Sequence, residues 1–181
     1  MIYGWIIGGL AALDLGVKSV VEGQEDDTFP RDLPSAKGFI KLHKNHNSGF
    51  PFGFMKERPE LVKGIPLMVI SAMAGALAAM MQDKGKTGEK LGLSLVMGGA
   101  LSNLYDRVVR GYVVDYFTIE WKSLKKVVFN LGDMFVFLGK RCLCADTGCQ
   151  EPGGGGGEEE KVRPAASRQT EKRENARVPW P

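Results

Sequence analysis

The feature that most limits this chain is an uncharged run of 18 residues, 64–81, reading GIPLMVISAMAGALAAMM. As a helix it would be about 27 Å long, close to the ~30 Å hydrocarbon core of a bilayer. Its Gly and Ala content suits close helix packing in lipid. Residues 1–21 are apolar except for Asp14 and Lys18. No basic stretch precedes that run and a charge pair sits inside it, so it is expected to be a retained span rather than a cleaved signal peptide. Residues 91–105 are uncharged and stop at Asp106–Arg107, giving a third span at about 88–106. The last apolar run, 127–139, contains Asp133 and reaches across a bilayer only if it continues through Lys140 to Ala145, a span of 127–145. The expected fold is therefore an all-α membrane protein with four transmembrane helices in residues 1–141.

Composition conceals this. At 181 residues, 44% hydrophobic and 25% charged, the chain has the averages of a soluble domain. Residues 142–181 are unlike the rest: five glycines at 153–157, then Glu158, Glu159 and Glu160, then polar, Pro-containing sequence. This second segment is expected to be a disordered tail. Its Cys142, Cys144 and Cys149 have no fourth ligand nearby, so no metal site is expected, and a disulfide framework is absent from the remainder.

The loop 22–60 is too long for a simple connector. Residues 39–45 alternate as a short strand, and 113–121 are rich in β-branched and aromatic residues, so a small β-structure beside the helices is expected. Lys84, Lys86 and Lys90 in the 82–90 loop compete with six Lys and Arg in 22–60, which leaves orientation open. Basic residues are mixed with acids, so nucleic-acid binding is not expected. There is no P-loop, no GxGxxG and no GxSxG.

Ionisable residues beside apolar runs are functional candidates, because a charge in hydrocarbon costs several kcal/mol. Asp115 (VVDYF) and Asp133 (FNLGDMF) have apolar and aromatic neighbours and no basic residue within two positions. Two carboxylates close together in a poorly solvated site cannot both ionise; they share a proton, and one can activate water while the other polarises a carbonyl. The alternative is a pair of interfacial aspartates bonded to backbone amides or Arg. Asp14 and Lys18, spaced i, i+4, fall on one helix face and either support a site or neutralise each other. Asp106–Arg107 reads as a snorkelling pair, or Arg107 as a brace for a loop. Asn47, Asn103 and Asn130 each suit holding a carbonyl or capping a backbone break. The cluster Phe50, Phe52 and Phe54 suits lipid, substrate or an interfacial anchor.

Four segments in order carry a resemblance. Asp14-Leu-Gly-Val-Lys18 resembles D-x-x-x-K, and residues 46–54, HNSGFPFGF, resemble N-x-G-A-A-F-G-F. Residues 98–116, GGALSNLYDRVVRGYVVDY, resemble G-G-A-x-G-N-x-x-D-R-x-x-x-G-x-V-x-D-F, and 129–133, FNLGD, resemble F-N-x-A-D. These are patterns of the lipoprotein signal peptidases (signal peptidase II), bacterial intramembrane aspartic proteases, and the resemblance runs from about Leu13 to Gly139. It implies a multi-pass cell-membrane enzyme of four helices with an extracytoplasmic β-cradle and a site near the outer face. It implies cleavage of prolipoproteins before a diacylglyceryl-modified cysteine, with Asp115 and Asp133 as the dyad and no metal or organic cofactor. Asn47, Gly49, Asn103, Asp106, Arg107, Asn130, Asp14 and Lys18 would be supporting residues. Partners would be lipid-modified prolipoproteins and membrane lipids, and the enzyme would act as a monomer. Departures are Phe50 and Pro51 for two small residues, Ser102 for glycine, Gly132 for alanine, and Lys140–Arg141 where an apolar run is usual. The last suggests a truncated fourth helix. Two alternatives follow: a catalytically impaired relative, and a small proton-coupled carrier.

Overall fold

The computed structural model describes residues 1–36, 38–49, 57–83, 85–121 and 127–147. Among these, four helices form: α1 (Ile2–Glu22), α2 (Pro59–Met80), α3 (Thr87–Val109) and α4 (Leu131–Thr147). Three strands, β1 (Arg31–Asp32), β2 (Ile40–Asn47) and β3 (Val113–Ile119), make one antiparallel sheet in the order β1-β2-β3. The Phe50–Phe54 cluster and residues 148–181, and with them most of the tail expected at 142–181, lie outside the described residues.

Three boundaries differ from expectation. Helix α2 begins at Pro59, inside the segment read as loop, because proline at the first helical position presets φ and needs no N–H partner there. Helix α3 runs past Asp106–Arg107 to Val109, and the chain then turns at Gly111, whose φ of 84° favours glycine. Helix α4 does not stop at Gly139. It continues through Lys140 and Arg141 to Thr147, so the 141/142 division falls inside it.

Beside its buried apolar clusters the fold buries several charged residues and exposes several large apolar ones. Asp14, Lys18 and Asp106 are fully buried, while Trp5 is 80% exposed and Met68 66%. Buried charge inside and apolar side chains outside suit a lipid surround. Length and hydropathy by themselves mark two helices as able to cross a membrane, α1 and α2. Helix α3 packs against α1, α2 and α4, so three protein neighbours, not lipid, cover much of it. That explains how it carries Lys90, Ser94, Ser102 and Asp106 buried.

Helix α3 approaches its neighbours through adjacent glycines. A Cβ on Gly98 would meet Leu10 of α1 at 2.9 Å, and a Cβ on Gly99 would overlap the Gly132 carbonyl of α4. A Cβ on Gly132 would meet the Gly99 oxygen at 2.9 Å, and further along the same interface Gly92 and Gly139 face each other in the same way. Gly99→Ala therefore gains up to about 1 kcal/mol of helix propensity but forces the two helix backbones apart, an overpacking cost of about 1–3 kcal/mol. We expect a lower unfolding midpoint in detergent for Gly99→Ala. Gly8→Ala, whose Cβ would meet nothing within 4 Å, is expected to leave the midpoint unchanged or raise it.

The sheet is anchored by an apolar cluster of Val21, Val114 and Tyr116, with Phe29 and Leu131 against it. At its edge Glu22, the last residue of α1, accepts bonds from His46 Nε2 at 3.1 Å and the Tyr112 hydroxyl at 3.2 Å. One irregularity positions the site. Leu42 pairs with Phe117 but Asn45 pairs with Asp115, so β2 has one residue more than β3 over that stretch. A regular ladder would set Lys44 opposite Asp115. The bulge shifts the alternation by one and puts Asn45 and Asn47 on the Asp115 face.

Candidate active site

Asp133 and Asn130 are placed by the start of α4. The Asn130 side-chain oxygen accepts the Asp133 backbone N–H at 2.9 Å, and the Asp133 carboxylate accepts the Asn130 backbone N–H at 3.2 Å. This is a reciprocal capping box, in which residues three apart satisfy each other's orphan donors at a helix N-terminus. The spacing N-x-x-D is thus a requirement of helix initiation as well as of the site. Asn130, fully buried, donates from its amide to Asp115 at 2.7 Å. One asparagine therefore joins both candidate aspartates. Asn103 of α3 donates to Asp133 at 3.1 Å, and Asn47 of β2 donates to Asp115 at 3.3 Å.

Beneath them lies an ionic network. Lys18 Nζ is 2.8 Å from Asp14 and 3.0 Å from Asp106, and donates to Ser102 at 3.2 Å and to the Asn103 side-chain oxygen at 2.7 Å. The last contact turns the Asn103 amide nitrogen toward Asp133. Asp106 also pairs with Arg110 at 2.8 Å and accepts the Val114 N–H at 3.3 Å, which ties α3 to β3 one residue before Asp115. Arg107 donates to the Gly49 carbonyl at 3.3 Å, while the Gly49 N–H donates to Asn47 at 3.2 Å. All ten residues expected to form or support the site lie in this one network. The reading of Asp106–Arg107 as a snorkelling pair is corrected: Asp106 faces inward to Lys18 and Arg110, because neighbours i, i+1 point to different sides of a helix.

Three participants were not singled out from sequence. Arg110 is one. Ser102 donates to Asp14, and the Tyr116 hydroxyl donates to the other Asp14 oxygen at 3.1 Å. Both are hydroxyls where the resembled pattern has glycine and phenylalanine, and that chemical difference was the signal available in the sequence.

Charge and burial fix what the arrangement can do. Among the described residues of the network, Lys18, Arg107 and Arg110 face Asp14, Asp106, Asp115 and Asp133. Three cations balance these four carboxylates only when one carboxylate is protonated. Asp115, on β3 outside the helices and 5% exposed, has its pKa pushed up to about 6 by burial first and by the Asp133 charge second. The Asn130 and Asn47 donors oppose that rise. The stability consequence has a definite sign. Well below pH 3.8 this carboxyl is protonated whether folded or unfolded; between 3.8 and about 6 the unfolded chain releases its proton first. Folding thus loses up to about 3 kcal/mol by pH 7 from this group. Asp115→Asn is expected to unfold at a higher temperature than the native chain at pH 8, with the difference closing at pH 4.

A family model described as Signal peptidase (SPase) II matches residues 6–148. The chain belongs to the signal peptidase II family. The lipoprotein signal peptidase of Clostridium acetobutylicum is 35% identical over 111 residues, covering 60% of this chain and 70% of that protein. That of Brucella ovis is 32% identical over 133 residues, covering 70% and 77%. Two solved structures of bacterial membrane enzymes share the fold. One, at 1.9 Å, has a TM-score of 0.67 at 18% identity, covering 81% of this chain and 92% of the other. The second, at 2.3 Å, has a TM-score of 0.66 at 17% identity, covering 84% and 94%. As a signal peptidase II the chain is a peptide hydrolase of lipoprotein processing, and its family is one of bacterial membrane enzymes.

Proposed function

We propose that the chain is an intramembrane aspartic endopeptidase that cuts prolipoproteins before the diacylglyceryl-modified cysteine, with Asp115 and Asp133 as the catalytic pair. The observation that carries this is Asn130, which bonds both carboxylates at once. In this reading α1–α4 all cross the cell membrane, and the sheet is the extracytoplasmic cradle that clamps substrate near the outer face. Residues 1–147 are the protease, acting as a monomer, and the lipid chains of the substrate stay in the bilayer. Asn47, Gly49, Asn103, Asp106, Arg107, Asn130, Asp14 and Lys18 hold the pair and the peptide in place.

The pair shares one proton and holds a water between its members. The ionised carboxylate removes a proton as the water oxygen bonds to the scissile carbonyl carbon, and the protonated one passes its proton to the carbonyl oxygen, giving a gem-diol. As the gem-diol collapses, one hydroxyl returns its proton to the second carboxylate, the C–N bond breaks, and the amine of the lipid-modified cysteine leaves with the proton taken from water. Burial matters because the polar groups act at full strength where water is excluded. The test is cleavage of a diacylglyceryl prolipoprotein by the purified full chain, beside Asp115→Asn and Asp133→Asn. A native chain that cleaves no faster than both variants would falsify the aspartic mechanism.

A further inference from the structure

We infer that Tyr116 is a positioning residue for the peptidase reaction, its hydroxyl linking Asp14 of α1 to the first turn of α4 and thereby fixing where Asp133 stands. This rests on the aspartic reading of the site. The hydroxyl donates to Asp14 at 3.1 Å and accepts the backbone N–H of Leu131 at 3.0 Å. Leu131 is the first residue of α4, and its N–H is one of the orphan donors of a helix start. The capping box satisfies the N–H groups of Asn130 and Asp133 but leaves that of Leu131, and Tyr116 supplies the missing acceptor.

Several features make the link specific. Tyr116 is 4% exposed, packed with Val21 and Val114, so its ring has little freedom. It stays protonated as a donor, since burial, and then the Asp14 charge, push its pKa up. It follows Asp115 directly in β3, and its bond to Leu131 fixes the helix start two residues before Asp133. One side chain thus sets the spacing of the strand that carries one aspartate and the helix that carries the other. Room for the Asp14 carboxylate beside α4 comes from Gly132, where a Cβ would lie 2.9 Å from Asp14 Oδ2.

The test is Tyr116→Phe in the full chain, which removes one oxygen and keeps the ring. With a diacylglyceryl prolipoprotein as substrate, kcat is expected to fall about tenfold with KM changed by less than about twofold. A peptide hydroxyl isostere of the tetrahedral intermediate is expected to inhibit about tenfold more weakly, because it senses the aligned pair as the transition state does. A variant that is merely less well folded would lose kcat through fewer active molecules and keep the inhibition constant. Leu131→Pro tests the same link from the other side, since proline is tolerated at a first helical position and deletes that donor; Leu131→Ala, which keeps the N–H but also loses the packing against the Val21–Val114 cluster, is its control and is expected to keep the native inhibition constant. Leu131→Pro is expected to show the same split, and its double variant with Tyr116→Phe no further loss. Native kcat in Tyr116→Phe, or a reduced kcat with unchanged inhibition, overturns the proposal. If Tyr116→Phe does not fold, Leu131→Pro decides by the same two outcomes. Native activity in Asp115→Asn would instead overturn the aspartic reading itself.

Discussion

Asparagine at position 115 or 133 is expected to lower the rate of prolipoprotein cleavage by about a thousandfold, the scale of removing a general acid–base group. Asparagine keeps the shape of aspartate but can neither take a proton from water nor share one with its partner. The two variants should differ in stability while agreeing in activity. At 115 the substitution removes a carboxylate whose ionisation is opposed by burial and by Asp133, so the fold gains. Both oxygens accept a donor at each site: Asn130 and Asn47 side-chain amides at 115, the Asn103 amide and the Asn130 backbone N–H at 133. A side-chain amide can turn to meet a new NH2 and a backbone N–H cannot, so Asp133→Asn should be less stable than Asp115→Asn at pH 8. Parallel cleavage assays and thermal unfolding check both halves. Residual activity above about a tenth of native in either variant would remove that aspartate from the chemistry.

Lys18→Met should be strongly destabilising. The ammonium is fully buried between Asp14 and Asp106, and methionine fills a similar volume without charge. Removing one partner of a buried ion pair leaves an uncompensated charge and costs about 3–5 kcal/mol, more than the pair itself contributes over an apolar substitute. Asp106 keeps Arg110, whereas among the described residues Asp14 keeps the Ser102 and Tyr116 hydroxyls. The double variant Asp14→Leu/Lys18→Met should therefore regain much of the loss in folded yield and unfolding midpoint, yet remain slow, because Asn103 has lost the lysine that orients it. A double variant no more stable than Lys18→Met would show that the penalty comes from packing and not from Asp14.

Helix positions were legible in the chain because apolar runs mark them, and all four helices overlap the expected segments, although length and hydropathy mark only α1 and α2 as able to cross a membrane. What escaped were ends set by contacts. The continuation of α4 through Lys140 and Arg141 was expected only as the length a span requires; what the sequence did not show is the contact that accompanies it, Gly139 lying against Gly92 of α3. The strand at 39–45 was visible by alternation, but alternation by itself would have pointed Lys44 at Asp115. The bulge that substitutes Asn47 is a property of two strands together. At the site, the residues carried by the resemblance all proved to be connected, whereas Ser102 and Tyr116 were invisible as partners of Asp14. Their bonds to it span 88 and 102 residues of sequence.

The glycine contacts of α3 with α4 have a consequence for how this protein can drift over generations. Where two helices meet through side chains, each substitution shifts the register a little and neighbours must follow. Here the reference surface for Asp133 is peptide backbone, at Gly99 against Gly132. The outward-facing positions, such as Trp5, Leu67, Met68 and Phe137, do not enter that reference. Substitution there leaves the backbone contact that locates Asp133 where it is.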